Sequence, residues 1–314
     1  MLIFIQATNQ FICFMIFEGD MSVIEAIKEK KRLMENRKEH EHIRPLLVID
    51  GGFMKGVYGA GAALAFDELA FLPVFTNFVG ISSGAATLAY TLSGQSQLGS
   101  TVIIEDCTSR QFLNFWRFKN PEDTAFLQEV LEGCTGKRLE TKDLVNRNFY
   151  IGLAVFETAK PFLLQPKTRE ECLVGIRASI SMPGAVSDTI LLSGVRYVDG
   201  ASTEPHILKK TYETIDATHV LIITNQDKDT KDILWWDRLI TKTIWRSRMS
   251  PRLFDVALRR RQIRHTWVDT VLKNPEKPIC FVWGNGSIAS FERDPEVVKA
   301  VIEKSKLWWQ ELLS

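Results

Sequence analysis

The pentapeptide Gly80-Ile81-Ser82-Ser83-Gly84 is the stretch of sequence that decides the fold. It has the form G-x-S-x-G and lies between an apolar run at 74–79 and small, helix-compatible residues at 85–90. This context is typical of a strand that turns sharply into a helix and presents the middle serine as a nucleophile. The glycines lack a Cβ and so permit a tight turn. The pattern predicts Ser82 as a candidate nucleophile, but taken alone it also fits an ordinary turn.

A second glycine-rich turn precedes this elbow. The residues Asp50-Gly51-Gly52-Phe53-Met54-Lys55-Gly56 follow the apolar run at 46–49 and precede an Ala/Gly-rich helical pattern at 56–70. Consecutive N–H groups in such a turn can converge on an oxyanion. A helix-entry turn or a phosphate cradle would give a similar pattern. A Walker A motif is excluded because no G-K-[ST] follows, and Phe53 and Val57 break a dinucleotide fingerprint.

An acidic residue follows a short apolar strand further along the chain, in Tyr197-Val198-Asp199-Gly200-Ala201. A buried carboxylate in this position could act as general base to a serine hydroxyl. An Asp-Gly hairpin turn is the alternative interpretation. Just before it lies the small-residue run Ala-Ser-Ile-Ser-Met-Pro-Gly-Ala at 178–185.

Taken in order, these motifs resemble those of the patatin-like phospholipases, in particular the bacterial-type lipid acyl hydrolases. The resemblance covers about residues 46–224 and consists of Asp-Gly-Gly…Lys-Gly, G-x-S-x-G, A-S-x-x-x-P-G and Asp-Gly-Ala. It implies a three-layer α/β/α fold with a central, mainly parallel sheet. It also implies a dyad of Ser82 and Asp199 and no metal or organic cofactor. The residues implied for the oxyanion hole are Gly51, Gly52, Phe53 and Gly56, with Gly80 and Gly84 in the elbow and Lys55 and Gly200 in support.

Two positions depart from the family pattern, which usually has glycine where this chain has Phe53 and arginine where it has Lys55. Phe53 would be strained if its position needs a positive φ. The function expected from the resemblance is hydrolysis of fatty-acyl esters, such as glycerophospholipids. Acyl transfer at the same site is one alternative. A lipid-binding or regulatory protein with a decayed site is another, and Phe53 motivates it.

A histidine base would give a different mechanism. In α/β-hydrolases the same elbow works through Ser…Asp/Glu…His in that chain order. The histidines after Asp199 are His206, His219 and His265. We expect His219 to begin a strand and His265 to lie on a solvated helix, with His206 structural or close to the site. An acidic partner for the serine is therefore favoured.

The composition is that of a folded globular protein. The 39 basic and 38 acidic side chains leave a net charge of +1, so no global field indicates nucleic acid. The 5 cysteines are scattered, which favours a reducing cytoplasm over a disulfide framework. Apolar runs at 149–155, 220–224 and 279–283 predict buried strands, and 101–146 has a mostly helical pattern. We expect one catalytic domain at 43–314, preceded by an extension and a charged leader helix at 1–42.

Two further stretches have open interpretations. Residues 1–17 are apolar but too short and too polar for a good membrane span, so they are either an interfacial anchor or an upstream extension before Met21. Residues 235–264 contain Trp235, Trp236 and Trp245, and from Arg238 to Arg264 nine basic residues stand against one acid, Asp255. This suits peripheral contact with an anionic membrane, but also a helix pair with a charged outer face. Nucleic acid is not expected because no recognition motif accompanies the charge.

Overall fold

A computed structural model describes residues 5–7, 10–12, 15–114, 116–117, 121–186, 189–228 and 245–314. Of residues 5–7, 10–12, 245 and 261 it describes the backbone. The predicted tryptophans at 235 and 236, and Arg238 and Lys242 of the basic stretch, lie outside the described residues.

The centre of the fold is a mainly parallel sheet. The described strands are β1 (Ile5–Ala7), β2 (Gln10–Ile12), β3 (Met15–Gly19), β4 (Pro45–Ile49), β5 (Asn77–Ile81), β6 (Phe149–Val155), β7 (Pro161–Leu164), β8 (Ile190–Leu192), β9 (Val195–Asp199), β10 (His219–Asp227) and β11 (Ile279–Gly284). In the sheet, strands β11, β10, β4, β5 and β6 lie side by side in that order and are all parallel. Antiparallel strands flank them, with β3 beside β11 and with β7 and β9 beside β6.

Helices cover both faces of this sheet, as the three-layer expectation requires. The described α-helices are α1 (Ser22–Glu35), α2 (Val57–Glu68), α3 (Ser83–Leu92), α4 (Ser96–Thr101), α5 (Thr124–Glu132), α6 (Arg169–Ile180), α7 (His206–Thr214), α8 (Pro251–Lys273) and α9 (Pro295–Leu313). Helices α2, α3, α6 and α9 pack on one face of the sheet, and α7 and α8 pack on the other. None of the described helices is long and apolar enough to cross a membrane.

The central strands read as continuous apolar runs because both of their faces are buried. All residues of β4 are buried, and successive side chains alternate between the two cores. Leu47 and Ile49 contact the layer that contains α2 and α9, whereas Leu46 and Val48 contact the layer that contains α7 and α8. The predicted strands at 46–49, 149–155, 220–224 and 279–283 are confirmed on this basis.

The residues before the predicted domain pack as part of the same sheet and core. Strand β3 pairs antiparallel with β11, and its residues Met15 and Phe17 are buried. The leader helix exists as α1, and it buries Val23, Ile24 and Ile27 against the main core. Residues 15–35 therefore share the sheet and the core with the rest of the described chain.

The register of the sheet brings the two candidate residues of the dyad together. Strand β5 is paired with β6 so that Ile81 lies beside Gly152, and β9 is paired with β6 so that Asp199 lies beside Leu153. Ser82 directly follows Ile81 at the carboxyl end of its parallel strand. Open α/β sheets form their sites at this edge.

Candidate active site

The elbow forms as the G-x-S-x-G pattern predicts. Ser82 lies between β5 and α3 with φ 55° and ψ −128°, a backbone conformation that is strained for a residue with a side chain. The flanking glycines permit the turn: a Cβ on Gly80 would lie 2.5 Å from the Ala85 Cα, and one on Gly84 would lie 2.1 Å from the Ile49 carbonyl oxygen. This backbone conformation places the Ser82 side chain at the edge of the sheet.

Asp199 is the acidic residue beside Ser82. It ends β9 and is 1% exposed, and the Ser82 hydroxyl lowers the pKa of its carboxyl. Its Oδ1 also accepts the Ala201 N–H at 2.8 Å, which starts a short 3-10 helix at Gly200–Thr203. The Asp-Gly pair is therefore not a hairpin turn, and Gly200 is needed because a Cβ there would lie 2.6 Å from the Gly152 carbonyl oxygen.

Burial raises the pKa of Asp199 from 3.8 to about 7. The Ala201 N–H, the Ser82 hydroxyl and the positive charge of Arg260 act in the opposite direction, and the charge of Glu204 adds to the rise. A carboxyl with a pKa near neutrality is suited to both accept and release a proton at physiological pH. This is a property that a solvated aspartate lacks.

The glycine loop lies directly against Ser82. A Cβ on Gly51 would lie 2.7 Å from the Ser82 Cβ and 3.3 Å from its Oγ, so only glycine fits. The Gly51 N–H already donates to the Asp50 Oδ1 at 2.7 Å. Among the described residues, nothing accepts a hydrogen bond from the N–H groups of Gly52 and Phe53. Of the predicted oxyanion-hole residues, Gly52 and Phe53 therefore remain candidates for that role, whereas the Gly51 N–H already has an acceptor.

Phe53 has a positive φ, the condition under which we expect its backbone to be strained. Its φ is 54°, and its ring packs against Phe291 with the ring centroids 5.0 Å apart. Both rings lie in the wall of the cavity beside Ser82. This aromatic contact offsets part of the cost of the backbone conformation.

The remaining predicted loop residues brace the loop. The Lys55 Nζ forms an ion pair with the Asp227 Oδ2 at 2.7 Å, which fastens the loop to the end of β10. Gly56 lies against α3, since a Cβ there would lie 2.6 Å from the Ser83 Oγ. Asn225 supports the same loop, because its amide donates to the Asp50 carbonyl and accepts the Gly59 N–H.

Ser179 is a supporting residue to which sequence reasoning gave no role. Its side chain is fully buried, and its Oγ accepts the Ser82 N–H at 2.8 Å and donates to the Gly152 carbonyl at 2.8 Å. It thereby fixes the elbow to the neighbouring strand β6. The signal for it is the small-residue run at 178–185, which does not by itself indicate what Ser179 contacts.

A buried charge cluster lies behind the glycine loop. The Arg264 Nη1 is 2.8 Å from the Glu204 Oε1, and its Nη2 is 3.6 Å from the Asp50 Oδ2 and 2.6 Å from the Thr224 Oγ1. Burial, with the nearby charge of Glu204, raises the pKa of Asp50 well above its usual range, and Arg264 opposes that rise. This cluster includes Asp50, whose Oδ1 accepts the Gly51 N–H.

The burial of Arg264 corrects one part of the predicted basic surface at 235–264. Arg264 is 5% exposed and cannot contact a membrane, because α8 turns it towards the sheet. The Arg248 Nη1 donates to the Gly184 carbonyl at 2.6 Å. Arg246, Arg252 and Arg259 are exposed, the last in an ion pair with Asp255.

None of the three histidines has a hydrogen bond to Ser82 or Asp199 within the part of the chain that the structure describes. His219 begins β10, and its Nδ1 lies 2.9 Å from the Thr218 Oγ1. His265 is exposed on α8. His206 begins α7, where burial lowers its pKa. In the described ranges no cluster of His, Cys, Asp or Glu is placed to hold a metal ion.

A largely apolar cavity opens beside Ser82. It contains about 810 Å³ of empty space, part of it open to solvent. Helices α3 and α5, the π-helical turn Val102–Asp106 and the glycine loop supply its walls. Its lining includes Phe53, Ser82, Ala86, Tyr90, Val102, Ile103, Leu113, Glu122, Leu127, Leu131, Ile180 and Phe291. Such a lining is suited to a hydrocarbon chain.

The geometry defines an α/β/α protein with a strained serine at a strand-to-helix elbow and a buried aspartate beside it. The family model of the patatin-like phospholipases matches residues 47–209, just over half of the chain, and the protein belongs to this family.

Individual relatives are more distant. The chain is 27% identical over 202 residues to the uncharacterized protein YjjU of Escherichia coli (strain K12), a match that covers 62% of this chain and 56% of that protein. Among solved structures, human GIVD cytosolic phospholipase A2 in complex with methyl gamma-linolenyl fluorophosphonate aligns at 14% identity with a TM-score of 0.41. That alignment covers 93% of this chain and 61% of the human chain.

Proposed function

We propose that the protein is a serine acyl hydrolase that cleaves fatty-acyl esters through Ser82 and Asp199. Membership of the patatin-like phospholipase family supports lipid acyl hydrolysis at the level of the family. The observation that carries the proposal for this chain is that the sheet brings a strained elbow serine beside a buried carboxyl, whose pKa burial raises to about 7.

In the first half-reaction, the Ser82 Oγ attacks the ester carbonyl carbon while the Asp199 carboxylate accepts the hydroxyl proton. The tetrahedral intermediate places its negative oxygen near the N–H groups of Gly52 and Phe53. Collapse of the intermediate breaks the bond to the alcohol, which takes the proton back from Asp199 and leaves an acyl-enzyme. Fixed amide donors of this kind typically contribute about 3–4 kcal/mol each to the transition state.

In the second half-reaction, water attacks the acyl carbonyl and gives its proton to Asp199. The second tetrahedral intermediate then releases the fatty acid, and Asp199 returns the proton to the Ser82 Oγ. The acyl chain occupies the apolar cavity during both steps, which favours fatty-acyl over short polar substrates because its burial removes apolar surface from water.

The experiment compares hydrolysis of a chromogenic fatty-acyl ester by the wild-type protein and by Ser82→Ala. The proposal expects turnover by the wild type and loss of at least about 1,000-fold in kcat in the variant, as for other serine nucleophiles. Equal rates for two folded proteins would refute it. Binding of liposomes by both proteins without turnover would instead favour a lipid-binding protein with a decayed site.

We also propose that the protein reaches lipid substrates at an anionic membrane surface from the cytoplasmic side. The exposed side chains of Arg246, Arg252 and Arg259 support this, since basic residues near a surface bind anionic lipid. Co-sedimentation of Ser82→Ala with phosphatidylglycerol vesicles, lost at high salt and absent with phosphatidylcholine vesicles, is the expected result. Equal binding to both vesicle types would contradict it.

A further inference from the structure

Glu122 places a carboxylic acid in the wall of the otherwise apolar cavity beside Ser82. It is 3% exposed and precedes Asp123, the residue that caps the N-terminus of α5. Apolar residues such as Leu113, Leu127 and Ile180 line the same cavity. Among the residues that the structure describes, the Glu122 Oε2 has no hydrogen-bond partner. An unpartnered polar atom in such a place is costly, and this makes it a candidate for binding a ligand.

The protonation state of Glu122 defines what it can bind. Burial, reinforced by the negative charge of Asp199, raises the pKa of Glu122 well above its usual range. A pKa raised in this way favours the protonated form of the side chain, which has one O–H to donate and an oxygen that accepts. A hydroxyl group on a ligand also has one O–H to donate and an oxygen that accepts, so it can pair with the protonated carboxyl in either direction.

The position of Glu122 indicates which part of a bound chain it meets. The charge of Asp199 acts on Glu122, and the Glu122 N–H donates to the Ala185 carbonyl, in the loop that leads from α6 towards β9. Both observations place the acid at the end of the cavity nearest the dyad. A group that Glu122 binds must therefore lie close to the ester carbonyl.

We propose that Glu122 is a polar subsite of the acyl cavity, which binds a hydroxyl group on the acyl chain close to the ester carbonyl. This inference rests on the proposed function, since it takes the cavity as the place of the acyl chain. A plain alkyl chain leaves the acid without a partner, whereas a hydroxylated chain satisfies it. A site built to pair with a hydroxyl rejects analogues that lack one.

The test measures binding of methyl 3-hydroxydecanoate and methyl decanoate to the full chain carrying Ser82→Ala. Since this protein cannot turn the esters over, affinity is measured without catalysis. We expect the hydroxyester to bind about tenfold more tightly, as one well-placed hydrogen bond would produce. Adding Glu122→Leu should abolish the difference, Glu122→Gln should retain most of it, and Glu132→Leu, the same change at an exposed position, should leave it intact.

A second measurement does not depend on whether the leucine variant folds. Infrared difference spectra of Ser82→Ala should show that the carbonyl stretch of a protonated carboxyl shifts when the hydroxyester binds. This band should be absent in Ser82→Ala with Glu122→Gln. Equal affinity for the two esters, or a preference that persists in Glu122→Leu, would overturn the proposal.

The outcomes separate this proposal from the proposed hydrolase function. Glu122-dependent binding of the hydroxyester by a protein whose wild type hydrolyses neither ester would retain the subsite and refute the hydrolase. Hydrolysis of both esters at equal efficiency, with equal affinities, would refute the subsite and retain the hydrolase.

Discussion

Replacing Asp199 by asparagine should stabilise the folded protein at neutral and alkaline pH while it removes activity. The wild-type carboxyl is 1% exposed, and its burial raises its pKa to about 7 in spite of the hydrogen bond from the Ala201 N–H. Asparagine keeps an oxygen for the Ala201 N–H and has almost the same shape. The substitution therefore removes a buried negative charge with little change in packing.

The rise in pKa from 3.8 to about 7 sets the size of the effect. The shift of about 3 pKa units corresponds to about 4 kcal/mol, at about 1.4 kcal/mol for each unit. The folded protein retains the proton to higher pH than the unfolded chain does, so its stability falls as the pH rises from about 4 to about 7 and is constant above that. Between pH 5 and pH 8 the wild type should lose about 3 kcal/mol relative to Asp199→Asn.

Urea unfolding at pH 5 and pH 8, followed by tryptophan fluorescence, measures the two free energies of unfolding. Asp216→Asn is the matched control, because Asp216 is exposed and pairs only with Arg44 in the described ion pairs. We expect that change to alter the free energy of unfolding by less than about 0.5 kcal/mol at either pH. A difference between wild type and Asp199→Asn that stays the same at both pH values would refute the conclusion that burial holds this carboxyl near neutrality.

Three further predictions concern the same site. The kcat/KM for an ester should rise with pH through a pKa of about 7 and then level off, because Asp199 must be ionised to accept a proton; a profile that is flat from pH 5 to 9 would contradict this. Ser179→Ala should lower the free energy of unfolding by about 1–3 kcal/mol, since it leaves the buried elbow N–H without an acceptor. Ser202→Ala, which loses only a contact with a sulfur, should cost less in the same urea titration. Arg264→Met should cost about 3–5 kcal/mol because it leaves two buried carboxyls without their cation. The exposed change Arg259→Met should alter thermal or urea stability by less than about 0.5 kcal/mol, and equal effects of the two arginine changes would be evidence against the buried cluster.

The sequence was informative where short-range chemistry decides the structure. The elbow at Ser82 was predictable because glycines at fixed spacing permit only a few backbone paths between a strand and a helix. The strand that contains Leu46 and Val48 was predictable because a strand buried on both faces must be apolar throughout. The order of the four motifs along the chain in turn indicates the patatin-like phospholipase family, which the family model confirms.

Contacts between residues that are far apart in sequence could not be predicted in the same way. Arg264 is one of many arginines along α8, and its charge gives no sign that it meets Glu204 from a distant part of the chain. The donation of the Gly51 N–H to Asp50 depends on how the glycine loop packs against β10, and no local sequence pattern indicates that packing. The pairing of β3 with β11 joins residues more than 250 positions apart in sequence, and no local pattern indicates it.

Labelling with a fluorophosphonate tests the central claim most directly, because an unactivated serine reacts slowly with it. The wild-type protein, Ser82→Ala and Asp199→Asn are incubated with the reagent, and the modified peptide is identified by mass spectrometry. We predict a single adduct on Ser82 in the wild type, none at that position in Ser82→Ala, and strongly slowed formation in Asp199→Asn. A folded wild-type protein that remains unlabelled at Ser82, or that labels equally fast without the Asp199 carboxyl, would contradict the account.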